Sequence, residues 1–73
     1  MPHFPALCYH DCVRLARERG FVFWRAGKGS HEIWVRSSDR RRTVIPHHGA
    51  APIKRKTVKG ILDDLQIDYR DLM

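Results

Sequence analysis

The chain has 73 residues, 42% of them hydrophobic and 30% charged, with a formal net charge of +6. That length admits one small domain, residues 1–73, which buries only about 60% of its unfolded surface; no apolar run approaches the roughly 18 residues of a membrane-crossing helix. The opening "MPHFPALCYHD" lacks the basic segment and long apolar stretch of a secretory leader, so a cytoplasmic protein without membrane contacts is expected.

The charge is unevenly spread. From Arg14 to Lys59 there are 13 basic residues against Glu18, Glu32 and Asp39, a local excess of +10. From Gly60 onward Asp63, Asp64, Asp68 and Asp71 face only Arg70, a balance of −3. A basic body suits a polyanionic partner; a solvated basic surface is the plainer alternative, and charge alone does not choose between them.

In chain order, "DCVRLARER" (11–19) places Cys12, Leu15 and Ala16 at helical spacing, with Asp11 as N-cap or first-turn acid. Gly20 follows at C′, where a left-handed conformation needs no Cβ, and Phe21 packs back on the helix. Cys8 and Cys12, four residues apart, read as small apolar fillers on one helix face. A zinc site joining them to His3 or His10 matches no common ligand spacing. "FVFWRA" (21–26) is aromatic and β-branched and predicts a strand; "GKGS" turns the chain. "HEIWVR" (31–36) alternates, with Ile33 and Val35 predicted to face inward and Glu32, Trp34 and Arg36 outward. After the turn "SSDR", "RRTVIP" (41–46) predicts a third strand, Thr43 and Ile45 inward, ended by Pro46. "HHGAAP" reads as a loop. Thr57 is the predicted N-cap of a second helix, "VKGILDDLQI", with Val58, Ile61, Leu62 and Leu65 as its apolar stripe. Gly60 inside that helix costs about 1 kcal/mol relative to Ala, and close approach to the sheet is its expected reason. Asp68 is placed to cap a last turn, "YRDLM".

The order α-β-β-β-α predicts a two-layer α+β fold, a three-stranded antiparallel sheet with two helices on one face.

Several of these residues also carry a family likeness. Gly20-Phe21, Arg25, Lys28-Gly29-Ser30-His31 and Ile33-Trp34 resemble the HicA family of small mRNA-cleaving toxins. So do the later "RRTVIPHHG", Thr57-Val58-Lys59 and Ile61-Leu62, and the likeness runs from about Asp11 to Ile67. It implies a fold similar to the double-stranded-RNA-binding domain. It further implies the toxin of a type II toxin–antitoxin system, an endoribonuclease that cuts mRNA and stops translation. A HicB-type antitoxin would neutralise it, the toxin being monomeric alone and hetero-oligomeric with that partner. The family's catalytic histidine corresponds to His31. The likeness has departures. Glu32 sits where many members carry histidine or an apolar residue, and an acid there is expected to weaken phosphate affinity or raise the pKa of His31. Against the family pattern the segment before "GKGS" and the loop before Thr57 each read as one residue longer, and the tail ending at Met73 as shorter.

The chemistry is compatible with that likeness. Cutting RNA without a metal or other cofactor requires a base for the 2′-hydroxyl, charge stabilisation at phosphorus and an acid for the leaving 5′-oxygen. Histidine suits either proton transfer, its unperturbed pKa being about 6.5. A glycine-rich turn lets backbone N–H groups approach a phosphate. Arg25 and Lys28 flank that turn, Ser30 can orient the imidazole or donate to phosphate, and Arg40, Arg41 and Arg42 can track neighbouring phosphates. For the second proton the candidates are water, Lys28, His47 and His48, with His48 also a phosphate contact. Lys54 and Lys56, in "KRKTVK", either hold phosphate at a helix N-terminus or form a soluble basic loop. Trp24 is expected to pack; Trp34 is open between packing and base stacking. The rival functions are a non-catalytic RNA-binding module and a degenerate toxin kept as an antitoxin partner.

Overall fold

The computed structural model describes residues 6–72. Its elements are α1 (Tyr9–Glu18), β1 (Val22–Ala26), β2 (His31–Arg36), β3 (Arg41–Pro46), α2 (Arg55–Asp64) and a closing 3-10 turn, Tyr69–Leu72. The three strands form one antiparallel sheet in the order β1-β2-β3, with β2 central. Both helices cover the same face, which is the predicted α-β-β-β-α arrangement.

Helix α1 begins two residues earlier than the apolar spacing indicates, because Cys8 takes the N-cap position. Its backbone N–H donates to Asp11 Oδ2 at 3.0 Å and its thiol donates to the same oxygen at 3.3 Å. Asp11 is thus the first-turn acid, held below the usual carboxylate range chiefly by the backbone bond from Cys8. Of the two cysteines only Cys12 is a core filler, fully buried, and burial pushes its thiol up to about 11. At the other end Gly20, with φ +85°, donates to Arg17 O at 3.0 Å, and Phe21 donates to Ala16 O at 2.9 Å. This paired closure swings Phe21 under the helix, where it is 1% exposed.

The phase of β2 is the reverse of the one expected. Trp34 faces the helices and is 2% exposed, while Ile33 and Val35 lie on the outer face and are half-buried. A buried indole removes 150–250 Å² from water, worth roughly 4–6 kcal/mol at about 25 cal/mol per Å². The indole N–H is also satisfied, donating to Glu32 Oε1 at 3.1 Å. The β2–β3 register seats Trp34 opposite Thr43 and Glu32 opposite Ile45, so Thr43 and Ile45 are inward as expected.

Strand β1 carries a β-bulge. Phe23 pairs with Trp34 and Arg25 with Ile33, which leaves Trp24 between them without a partner. Phe23 meets Trp34 edge-on, ring centroids 6.0 Å apart. Trp24 is turned to the outer face and stands 53% exposed, so it does not pack in the core.

Helix α2 starts at Arg55 with Lys54 at the N-cap, not after Thr57, which lies in the first turn. The cause is an anchor just upstream: Ile53 is buried and its N–H donates to Leu7 O at 2.8 Å. Val58, Ile61 and Leu62 face the core, joined by Leu65 at the C-cap. The helix stops there because Gln66 turns left-handed (φ 60°) and Ile67 donates back to Leu62 O at 2.9 Å. Gly60 is not at a close approach: a Cβ placed on it meets nothing within 4 Å. Asp68 caps the final turn as expected, accepting the Arg70 N–H at 2.9 Å; Met73 lies outside the described residues.

Arg36 ties the far end together. It donates to both Asp39 oxygens (3.1 and 2.8 Å), to Arg19 O (2.7 Å) and to Gln66 Oε1 (3.2 Å). The α1 cap, the β2–β3 turn and the α2 cap therefore share one guanidinium.

In urea denaturation followed by circular dichroism, Trp34→Ala should lose about 3–5 kcal/mol and Trp24→Ala no more than about 0.5. Gly60→Ala should gain up to about 1 kcal/mol, because the added methyl meets nothing. Asp11→Ala should cost about 1 kcal/mol at pH 7. Since the folded Asp11 pKa is depressed, that penalty is full above the ordinary value of about 3.9 and fades as pH falls through the lower folded value.

Candidate active site

The "GKGS" turn closes the β1–β2 hairpin. Gly27 N–H donates to His31 O at 2.7 Å and His31 N–H donates to Lys28 O at 3.2 Å. Gly29 sits at φ +64°, a conformation that a side chain at that position would strain. Because Trp34 is inward, the two-residue alternation puts His31 on the outer face with Ile33 and Val35. Its ring is exposed.

His31 lines a cleft of about 610 Å³. The other walls are Val44 and Pro46 of β3, His48, Ala51, Pro52 and Ile53 of the loop, and Lys54 and Thr57 at the start of α2. The loop is held to the hairpin by its backbone, His47 N–H donating to Ser30 O at 2.9 Å. That bond sets the two successive histidines on different sides. His47 stacks on Tyr9 of α1, centroids 4.0 Å apart and planes at 18°, with Nδ1 3.5 Å from Glu32 Oε2. His48 shares the cleft with His31. Helix α2 starts without a side-chain cap, and Lys54 and Thr57 at its start line the cleft.

Glu32 does not face the cleft. Its carboxylate accepts from Tyr9 Oη at 2.7 Å and from Trp34 Nε1 at 3.1 Å on the helix side of the sheet. Burial, reinforced by the bond to Glu32, raises the Tyr9 phenol above its ordinary pKa. The acid next to His31 in sequence is therefore a structural acceptor on the opposite face.

The proposed phosphate-binding residues divide into four groups. Lys54 and His48 join His31 in the cleft, and Ser30 adjoins it through the loop clamp. Arg25, Arg40 and Arg42 lie on the outer face farther along the sheet, Arg25 with its guanidinium 4.6 Å from the Trp24 ring centre. Arg41 pairs with Arg36 and turns toward the helix side; among the described residues its buried Nε has no hydrogen-bond partner. Lys28 and Lys56 are exposed, and neither lines the cleft.

Thr57 and Val44 were missed as site residues, the first because it read as a helix cap, the second because it was an ordinary strand valine. The Tyr9–Glu32–His47 cluster joins three elements distant in the chain, and no local pattern announces it. Among the described residues no group of three His, Cys, Asp or Glu side chains is gathered for a metal, and His3 lies outside them. No helix among them is long and apolar enough to cross a membrane.

A two-layer α+β protein with a basic outer face and a histidine-lined cleft at one end of its sheet is the class that fold and site define. A family model described as "HicA toxin of bacterial toxin-antitoxin" matches residues 9–67. The chain belongs to that family, the HicA toxins of bacterial toxin–antitoxin systems. A comparison with curated proteins gives no match.

Glu32→Ala should lower stability by about 1–3 kcal/mol, because it orphans the Tyr9 hydroxyl and the Trp34 indole N–H. Glu32→Gln, which keeps an acceptor oxygen, should lose clearly less in the same urea titration.

Proposed function

We propose that this toxin is a metal-independent endoribonuclease that cuts mRNA and so inhibits translation, with His31 as an acid–base catalyst. The observation that carries the reading is the shared cleft: an exposed imidazole on a rigid hairpin, a second imidazole on the clamped loop, and Lys54 at an uncapped helix start. In this reading one of His31 and His48 accepts the 2′-hydroxyl proton as that oxygen attacks phosphorus. The other delivers a proton to the departing 5′-oxygen, leaving a 2′,3′-cyclic phosphate. Lys54 and the α2 N–H groups face the charge that grows on the phosphorane oxygens, where fixed donors do most for the rate. His48 is preferred over His47 as the partner because His47 is engaged with Tyr9 and Glu32 on the other side. A single well-placed acid or base contributes about 10²–10⁴-fold, enough for a toxin that inactivates a message with each cut.

A HicB-type antitoxin is the proposed neutralising partner. An acidic surface laid over the His31 cleft would occlude the catalyst and meet the excess positive charge.

The test is cleavage of end-labelled mRNA by the purified protein with EDTA present. New termini should appear with wild type and vanish with His31→Ala, while antitoxin binding and the folded spectrum persist. His48→Ala should slow cutting by about 10²-fold or more. Cutting by the His31→Ala protein defeats the assignment; binding without cutting by wild type would leave an RNA-binding module.

A further inference from the structure

The outer face of the sheet is not a bare solvated surface. Val22 (60%), Trp24 (53%) and Val44 (41%) are all exposed large apolar side chains. The register sets Val22 beside Val35, Val35 beside Arg42 and Arg25 beside Ile33 on this face. The Trp24 indole walls a depression of about 370 Å³ whose other lining residues include Val35, Arg40 and Arg42 and no carboxylate. Among the described residues no ion pair holds Arg25, Arg40 or Arg42. The Arg25 guanidinium lies over the indole, 4.6 Å from its ring centre. Exposed aromatic surface edged by unpaired arginines is a poor place for water and a suitable one for a base and its phosphates.

This depression is continuous with the candidate active site. It shares Arg42 with a groove between β3 and α2, and that groove shares Val44 and Thr57 with the His31 cleft. The groove is open where Gly60 contributes no side chain. From Pro46 to Arg42 is four residues of β3, about 13 Å at 3.3 Å per residue. A polynucleotide cut beside His31 therefore reaches the depression at Arg42 within a short extended run.

We propose that the outer sheet face binds the unpaired RNA flanking the cut, with Trp24 as the stacking platform for one base and Arg25, Arg40 and Arg42 contacting the neighbouring phosphates. The assignment rests on the ribonuclease reading and adds the state of the substrate. Bases of a duplex are stacked on one another and cannot offer a face to an indole, so the platform selects single strands. Val22 faces out and Phe23 in, so the regular alternation already turns Trp24 to this face, and the β1 bulge keeps Arg25 there beside it, opposite outward Ile33.

The test uses the full chain carrying His31→Ala, so that RNA is not consumed, with fluorescein-labelled unpaired RNA and a duplex of the same sequence as probes. In fluorescence anisotropy, adding Trp24→Ala should weaken single-strand binding roughly 5- to 150-fold, Trp24→Phe should retain most of the affinity, and duplex binding should not change. Single-strand binding should quench tryptophan emission, and Trp24→Phe should remove the quenching because Trp34 is buried. Single-strand affinity unchanged in Trp24→Ala overturns the proposal, as does an equal loss on the duplex. Loss of antitoxin capture with RNA affinity intact overturns it too, and marks the face as a protein interface. The ribonuclease reading is judged separately, by wild-type cleavage in EDTA; if it fails while the Trp24 effect stands, the face is an RNA-binding surface without a nuclease.

Discussion

Burial of the Trp34 indole is the constraint from which the site follows. A strand alternates its side chains, so seating residue 34 against the helices commits 32 and 36 to the same side and 31, 33 and 35 to the other. The same choice exposes His31 on the outer face and sends Glu32 inward. Glu32 then becomes useful in the layer between sheet and helices, accepting from Tyr9 and Trp34, and its charge is taken away from the imidazole next to it in sequence. A one-residue slip of β2 would bury the histidine and expose the tryptophan, so the fold and the cleft fail or stand together.

The cleft itself is a product of chain crossings. Two backbone bonds hold it: His47 N–H to Ser30 O joins the loop to the hairpin, and Ile53 N–H to Leu7 O joins the end of the loop to the segment before α1. Between these two points the loop passes His48, and after the second α2 begins without a side-chain cap. Each bond costs conformational entropy that a short chain offsets with difficulty. A 73-residue domain has a small core, and here the fastening is repeated at the opposite end by Arg36, which bonds to Asp39, Arg19 and Gln66.

Charge is sorted by face as well as by position. Paired groups such as Arg36 with Asp39 and Arg70 with Asp68 lie at the turns, while Arg25, Arg40 and Arg42 are left unpaired on the outer face among the described residues. An even surface mixture would weaken the pull on a polyanion; separation strengthens it. The bulge between Phe23 and Arg25 keeps the Trp24 ring and the Arg25 guanidinium together on that side.

How much of this is legible in the residues alone divides along the range of the interactions. Elements with local causes can be read directly: the Gly20 closure, the "GKGS" turn, the alternation of β2 and β3, and the capping of the last turn by Asp68 all depend on neighbours within a few positions. The likeness that marked His31 is local in the same sense, a triplet in a recognisable setting. The facing of β2 is not, because Ile33 with Val35 and Trp34 with Thr43 are equally good alternations until a helix is packed against one of them. Nor is the start of α2, which depends on Ile53 reaching Leu7, or the parting of His47 from His48, which depends on Tyr9 and Glu32. The β1 bulge belongs with these, because which residue is left unpaired is decided by pairing across strands. Short-range stereochemistry is encoded position by position, whereas partners distant in the chain are chosen only when the whole molecule competes to bury its largest apolar surfaces.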